Sequence, residues 1–234
     1  DLFEGDESLG KGTSRLKGNV CFKHKGALMY CDSAYLYQLT NSLDAFGSIR
    51  ILQGDSIRLT GKFLRYDGNS GIATVSEDVL LTDRDMNLKS ESLTYDLNTG
   101  TASYLTGGVL TDPKNELRSK RGFFYSASRR ATFRDSVSLS NPNYFIKADS
   151  LSYLTSQSRA LFTGPTHIFS TGNDSTRIYC ENGFYDALRE ISVFKFPNKI
   201  YSGTKTLSGD SLNFNNKSRE GRAYGNVLVK DRKS

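Results

Sequence analysis

Apolar and polar residues alternate along most of the chain. In the segment 131–140, apolar side chains fall on one side of an extended backbone, at Ala131, Phe133, Val137 and Leu139. A period of two residues is typical of a β-strand with one face in water. Helical periodicity is nowhere sustained. The pattern therefore predicts an all-β chain.

The same phrase returns about every thirty residues. An aromatic residue closes each copy, at Tyr37, Tyr66, Tyr95, Tyr125, Tyr153, Tyr185 and Phe214. A small residue follows each aromatic, usually alanine, and turn-forming clusters such as DGNSG and LNTG lie between the two. A fixed period indicates that one supersecondary unit is stacked repeatedly, each copy burying its neighbour's apolar face.

One strand of each repeat carries two apolar clusters that lie five positions apart, as Leu59 and Leu64 do. An odd offset puts the clusters on opposite sheet faces unless the strand bends or bulges between them. We therefore predict corners at Thr60-Gly61, Ser90-Glu91, Ala148-Asp149 and Ser208-Gly209. Aligned corners would fold an antiparallel sheet of about 15–16 strands into two leaves around an apolar interior. Pro197 falls in a strand of the last copies, where we expect this interior to bend, widen or end.

Charge and hydropathy exclude some classes of protein. The net charge is +6, but the Lys and Arg residues are scattered and form no continuous stripe. Scattered charge favours a solvated surface over a nucleic-acid partner. No run of about eighteen apolar residues is present, so the sequence predicts no membrane-spanning helix.

Catalytic patterns are not found in the sequence. The two histidines, His24 and His167, are far apart and have no partners of catalytic or metal-binding spacing. No nucleophile elbow, phosphate-binding loop or dinucleotide motif occurs. We therefore expect no catalytic residue, no metal site, no cofactor and no enzymatic activity.

Three cysteines raise the question of a disulfide. Cys21 and Cys31 flank the turn at Lys25-Gly26 at nearly equal distances, so a hairpin there would permit a bridge in an oxidising compartment. The alternative is two free strand cysteines that behave as small apolar residues. An odd count leaves Cys180 unpaired.

The phrase GDSIRLTGKFLRYDGNSGIATVSEDVLLTD, with NSLDAFGSIRI before it and KADSLSY and GDSLNF after it, resembles the OstA/LptA family. That family comprises periplasmic bridge proteins of lipopolysaccharide transport and the soluble N-terminal domain of their outer-membrane partner, LptD. The resemblance runs from about Gly18 to Lys230. It predicts a lead-in at 1–17, one repeat domain at 18–230 and a tail at 231–234.

The resemblance also implies a structure and a role. The fold would be a folded-over antiparallel sheet, a β-taco or β-jelly roll, whose trough holds the acyl chains of lipid A. The protein would act in the periplasm of a Gram-negative bacterium after loss of a signal peptide, with or without association with the outer membrane. Its partners would be lipopolysaccharide or a related glycolipid, other bridge components and further copies of itself, joined through the terminal strands.

Fifteen residues are our candidates for lipid contact on the inner face of the trough. They are Val20, Phe22, Tyr35, Tyr37, Leu64, Tyr66, Val75, Leu93, Tyr95, Phe123, Tyr125, Phe133, Leu151, Tyr153 and Phe162.

Two other classes of protein fit the repeat. A β-solenoid that binds or cleaves polysaccharide would wind parallel coils of similar length. A purely structural repeat module would carry the same rows of aromatic residues, because any stacked sheet needs them, but its leaves would be closed.

Overall fold

The computed structural model describes residues 2–4, 10–172, 176–215, 217–218 and 220–231. These residues form twenty strand segments and one 3-10 helix, Thr155–Gln157. None of the described residues forms a helix that is long and apolar enough to cross a membrane. The chain divides into two compact units: Asp1–Pro113 with Tyr125–Ala127, and Lys114–Phe124 with Ser128–Ser234.

The strands of the first unit are β1 Leu2–Glu4, β2 Thr13–His24, β3 Ala27–Tyr37, β4 Ser42–Gln53, β5 Ile57–Asp67, β6 Ile72–Asp83, β7 Met86–Asp96, β8 Thr101–Tyr104 and β9 Gly108–Thr111. Consecutive long strands pair antiparallel from β1 to β7, and β7 pairs with both β8 and β9. Tight turns connect them. At the β2–β3 turn, Lys25 and Gly26 both have positive φ, as the favoured two-residue hairpin turns require.

The second unit contains β10 Glu116–Ser119, β12 Arg130–Ser140, β13 Tyr144–Leu154, β14 Arg159–Ser170, β15 Arg177–Asp186, β16 Ile191–Ser202, β17 Lys205–Ser208, β18 Ser211–Asn215, β19 Glu220–Tyr224 and β20 Leu228–Asp231; β11, Arg121–Tyr125, ends at its boundary. Every described register in both units is antiparallel. The parallel coils of the solenoid alternative are therefore wrong for this chain.

Each long strand bends near its middle, along a line that we call the crease. The register between β5 and β6 shifts between Thr60 and Phe63, where the sequence predicted a corner. Equivalent shifts occur at the other predicted corners that lie inside long strands, beside Glu91 in β7 and beside Asp149 in β13. At the fourth corner, Ser208-Gly209, the strand is interrupted between β17 and β18.

The crease also passes through strands for which the sequence predicted no corner, such as β6 and β12. Two adjacent residues in β6, Glu77 and Asp78, have φ of 64° and 54°, and Asp135 and Ser136 in β12 have 64° and 55°. Left-handed residues are uncommon outside glycine and turn the chain sharply. The apolar residues on both sides of these pairs therefore point to the same interior.

In the seventh copy, the bend at the crease has a different structure. Strand β16 continues through Pro197, but its register with β15 shifts there, so the strand bends at this proline without being interrupted. The side chain of Asn198, 2% exposed, donates to the carbonyl oxygens of Phe194 and Gly209 and accepts from the amide of Gly209. A side chain thus satisfies backbone groups that the bend leaves without ladder partners.

Hydrogen bonds in the first unit show that the sheet folds over. We call the side of the crease that contains residues 20–24 and 27–31 leaf A, and the side that contains 13–17 and 33–37 leaf B. Tyr66, on leaf B of β5, shares a hydrogen bond with Nδ1 of His24, on leaf A of β2. Two strands, β3 and β4, and the crease separate these residues along the sheet, so the leaves face each other. The predicted all-β, folded-over antiparallel sheet is confirmed.

Strand number agrees with the prediction once the crease is considered. Four long strands are interrupted there, as β8 and β9, β10 and β11, β17 and β18, and β19 and β20. Counting each such pair as one strand leaves sixteen. Strand β1 and the first half of β2 lie within residues 1–17, so the sheet begins inside the predicted lead-in.

The proposed Cys21–Cys31 bridge is wrong, because all three cysteines are free. The two-residue turn puts His24 opposite Ala27, which pairs Cys21 with Tyr30 and Cys31 with Val20. The register is thus one residue away from the one that a bridge requires. Cys21 consequently lies on the outer face, and Cys31 on the buried inner face.

Candidate functional site

The interior of the first unit is built from rows of apolar side chains that cross the strands. Leaf B carries two rows, namely Leu36, Leu43, Tyr66, Ala73, Tyr95 and Ala102, and Leu16, Ala34, Ala45, Leu64, Val75 and Leu93. Leaf A carries a row of Phe22, Met29, Ile51, Leu59, Leu81, Leu88 and Leu110. Within each leaf, the inward side chains are therefore aligned from one strand to the next.

From Tyr66 onward, large and small residues alternate along the first of these rows. Tyr66 and Tyr95 both lie opposite Ala73, and Ala102 follows Tyr95. A methyl group on the neighbouring strand leaves room for a ring to lie across it. Ala73 and Ala102, the small residues that follow Tyr66 and Tyr95 in the sequence, therefore provide the space in which those rings pack.

The first unit is filled by its own side chains. Ala73, Val75 and Leu93 are completely buried, and Tyr95 is 1% exposed. Burial raises the pKa of the Tyr95 phenol to about 12, with smaller contributions from Asp83 and Asp96. The phenol is therefore neutral and able to donate a hydrogen bond at physiological pH.

The second unit repeats this arrangement. Its leaf B rows are Ala131, Tyr153, Ala160, Tyr185, Ser192, Phe214 and Gly221, and Phe133, Leu151, Phe162, Gly183, Phe194, Leu212 and Ala223. Its outermost leaf A row is Leu139, Ile146, Ile168, Ile178, Ile200, Leu207 and Val229.

Burial decreases along that last row toward the C-terminal edge. Ile168 is 5% exposed, Ile200 and Leu207 are half-buried, and Val229 is 63% exposed. Among the described residues, the inner side chains are thus least covered at the last strand, β20.

Eleven of the fifteen predicted lipid-contact residues belong to inner rows. Eight are buried there: Leu64, Tyr66, Val75, Leu93, Tyr95, Phe133, Leu151 and Phe162. Three are inner by register and half-buried: Val20, Phe22 and Tyr153. Contact with lipid is a proposal for all of them.

Four of the fifteen lie on the other face, so their inward placement is wrong. Tyr35 and Tyr37 share a face with Arg15 and Asp44, and the Arg15 guanidinium lies 5.7 Å from the Tyr35 ring centroid. Leu36 takes the inner position between them. In the fourth copy, Phe124 is 5% exposed while its neighbours Phe123 and Tyr125 alternate with it, and Tyr125 is 39% exposed.

Apart from Val20 and Phe22, the candidate list missed the residues of leaf A in the first unit. Met29, Ile51, Leu59 and Leu81 are each 1% exposed and belong to the interior as fully as the aromatic rows do. The sequence contained the signal, because Leu59 is half of the five-residue pair from which the crease was predicted.

Hydrogen bonds hold the two leaves of the first unit together at the edge farthest from the crease. The Tyr95 phenol donates to Oε1 of Gln53, and Gln53 Nε2 donates to the carbonyl oxygen of Leu97 over 3.4 Å. Above them, Nζ of Lys25 donates to Oδ1 of Asn98 over 2.5 Å. We call this edge, together with the Tyr66–His24 bond, the seam.

A groove of about 530 Å³ lies beside the crease of the first unit. Its lining includes Arg50, Arg58 and the ion pair of Lys62 with Asp78. Its lining also includes Val20, Cys31 and Ile49, so charged and apolar side chains meet in this groove. Among the described residues, no group of three or more His, Cys, Asp and Glu side chains is placed to hold a metal ion.

The histidines have structural surroundings. His24 belongs to the seam, and the His167 ring lies 5.1 Å from the ring of Tyr179, its neighbour on the adjacent strand. The arrangement as a whole offers apolar surface between two leaves.

Comparison with known proteins places this architecture. The OstA-like protein family matches residues 1–149 of the 234-residue chain. None of the curated proteins matches the sequence. A solved structure of LptH from Pseudomonas aeruginosa, described as the LptA homologous periplasmic component of the conserved lipopolysaccharide transport device, is 10% identical with a TM-score of 0.47, covering 50% of this chain and 94% of that one. Because the family match spans more than half of its residues, the chain belongs to the OstA-like protein family.

Proposed function

We propose that this protein is a non-enzymatic lipid carrier of the periplasm, which holds the acyl chains of lipopolysaccharide or a related glycolipid between its two leaves. The observation that carries the proposal is the apolar interior itself. Rows of inward side chains continue from strand to strand on both leaves, and in the first unit side-chain hydrogen bonds close the edge opposite the crease. Membership of the OstA-like family supports the same role.

The free energy of lipid binding is expected to be modest, as a carrier that must release its lipid requires. Each methylene transferred from water to an apolar surface contributes about 0.8 kcal/mol. In the first unit the leaves already bury each other, so a lipid would replace contacts between side chains, and only the difference between the two sets would hold it. Similar rows in successive copies would then allow a chain to advance in small steps.

The filled interior of the first unit is also what a purely structural module predicts. The two roles differ in whether the leaves separate to admit a lipid. Neighbouring residues on one strand can test this, because Phe133 is 2% exposed in the interior while Thr132 belongs to the opposite face.

The test is photocrosslinking with benzoylphenylalanine at either position in cells. The carrier role predicts lipopolysaccharide adducts from position 133 and few or none from position 132. A folded protein that gives no adduct at position 133, and none at Leu64 against its neighbour Arg65 in the first unit, would show that the leaves stay closed.

We also propose that copies associate end to end. Strand β20 pairs with β17 on one side; its apolar residues Leu228 and Val229 are 49% and 63% exposed, and Val227, directly before it, is 48% exposed. In the first unit, β2 leaves residues 20–24 with one described neighbour, β3, and Phe22 there is half-buried. A strand of a second copy would extend either ladder and cover these side chains.

A further inference from the structure

We infer that the seam of the first unit is a latch: lipid reaches the interior there by breaking the side-chain bonds of His24, Gln53, Tyr66 and Tyr95, and these bonds limit the rate of loading. The inference rests on the proposed function and adds where and how the interior opens. The bonds concerned join side chains on opposite leaves, which are not paired with each other as neighbouring strands of the sheet.

The seam is formed by the last row of each leaf. On leaf A this row contains His24, Ala27 and Gln53, which pair in that order across β2, β3 and β4. On leaf B it contains Tyr66 and Tyr95, with Ala73 between them. Both tyrosine bonds reach back 42 residues, so successive repeats close the edge in the same way.

The bonds of the seam lie directly over the apolar rows. Tyr66 is 4% and Tyr95 1% exposed, and Ala27 and Ala73 beside them are completely buried. The bond of Lys25 to Asn98 lies outside them, between exposed turns of opposite leaves. A molecule that passes this edge therefore breaks an exposed bond first and the tyrosine bonds second.

Opening costs less at the seam than at the crease. The crease is continuous backbone, whereas the seam consists of side-chain groups that water can solvate once the leaves part. Exchange of a protein hydrogen bond for bonds to water has a small net cost, so loss of one such bond favours the open state by about tenfold or less. Directional bonds nevertheless hold the closed state in one geometry.

Covalent closure of the outer seam tests the inference. In a Cys21→Ser background, Lys25→Cys with Asn98→Cys puts one thiol on each leaf, and a short bismaleimide joins them. The matched control is Asn69→Cys with Asn98→Cys, whose turns both belong to leaf B and are joined there by the bond from Asn98 to Ser70. The same reagent then bridges one leaf only.

The readout is the rate at which a fluorescently labelled lipopolysaccharide binds. We expect the bridge across the seam to slow loading at least tenfold and the bridge within leaf B to leave it unchanged. Tyr66→Phe with Tyr95→Phe keeps both rings and removes both phenols, and should load faster, by roughly five- to hundredfold. Equal loading rates for the two bridged proteins would overturn the latch while leaving lipid binding intact.

A second readout needs no lipid. Leu43 is 4% exposed in the same row as Tyr66, so Leu43→Cys in the Cys21→Ser background reports opening by its rate of reaction with a maleimide. Tyr66→Phe with Tyr95→Phe in this background should accelerate the reaction. Unchanged rates would refute the latch. If the unmodified chain binds no lipopolysaccharide but these rates do change, the proposed function fails and the latch stands.

Discussion

The rings of Phe162 and Phe194 stack across the strand that separates them, with centroids 6.2 Å apart and planes at 24°. Phe162 is on β14 and Phe194 on β16, and the residue between them in the row is Gly183 of β15. The absence of a side chain at Gly183 lets the rings meet. The sixth copy therefore departs from the leucine column without leaving a gap in the interior.

Replacing Gly183 with alanine should destabilise the second unit. A Cβ at this position would collide with the carbonyl oxygen of Val193 and crowd the Phe194 backbone. Overpacking of this kind costs about 1–3 kcal/mol, which urea unfolding followed by circular dichroism would measure. Gly221→Ala is the matched control, because its Cβ would lie 3.5 Å from the Phe214 ring, an ordinary contact. Equal stability of the two variants would contradict this explanation.

The left-handed residues of the crease give a second prediction. Ser136 has φ of 55° and an exposed side chain, so only its backbone conformation is at issue. Ser136→Gly should be neutral or slightly stabilising, whereas Ser136→Val should lower the free energy of unfolding by about 1–3 kcal/mol, because a β-branched residue is strained at positive φ. The same urea assay compares them. A valine variant as stable as the glycine variant would show that the bend does not depend on this conformation.

The crease could be predicted from sequence because it leaves a parity signal. Leu59 and Leu64 cannot share a face of a regular strand, and the register shift between Thr60 and Phe63 resolves that conflict. In β6 no such signal exists. Val75 and Val79 are an even number of positions apart and would share a face of a regular strand, so the sequence does not reveal the two left-handed residues between them.

Which of the two alternating sets of side chains points inward was harder to predict than the alternation itself. Tyr35 and Tyr37 flank Leu36, and a period of two does not say which set points inward. The register decides, and it depends on the turn: two turn residues at Lys25-Gly26 put Tyr30 opposite Cys21. The seam could not be found from sequence at all, because the Tyr95–Gln53 bond joins different leaves and different repeats.

Alkaline pH should weaken the second unit through Cys180. This side chain is completely buried, and burial raises the pKa of its thiol from 9.0 to about 12. A raised folded-state pKa contributes stability that is fully present below pH 9 and is lost as the pH rises toward 12, because the unfolded chain releases the proton first. The stability advantage of the unsubstituted chain over Cys180→Ala should shrink by on the order of 1 kcal/mol per pH unit above pH 9.

Ile168→Val is the control for this experiment. Ile168 lies on the same leaf of the interior, 5% exposed, and does not titrate. Its stability difference from the unsubstituted chain should therefore stay constant over the same pH range. A Cys180→Ala difference that is equally constant would mean that the thiol reaches water in the folded state.

The last strand offers a test of end-to-end association. Val229 lies opposite Leu207 in an inner row, yet is 63% exposed because the described residues provide no strand beyond it. Val229→Lys would put a charge where a second copy's strand must dock, and inward charges on edge strands oppose such pairing. We expect sedimentation velocity to show concentration-dependent assemblies for the unsubstituted chain and monomers for Val229→Lys. Lys230→Ala changes the next residue, which alternation turns to the opposite face, and should leave the assemblies intact. Since Val229 is mostly exposed already, the lysine variant should unfold at the same urea concentration as the unsubstituted chain. Loss of assembly would then reflect the changed edge strand and not a loss of stability. Assemblies that persist in the lysine variant would show that the contact between copies lies elsewhere.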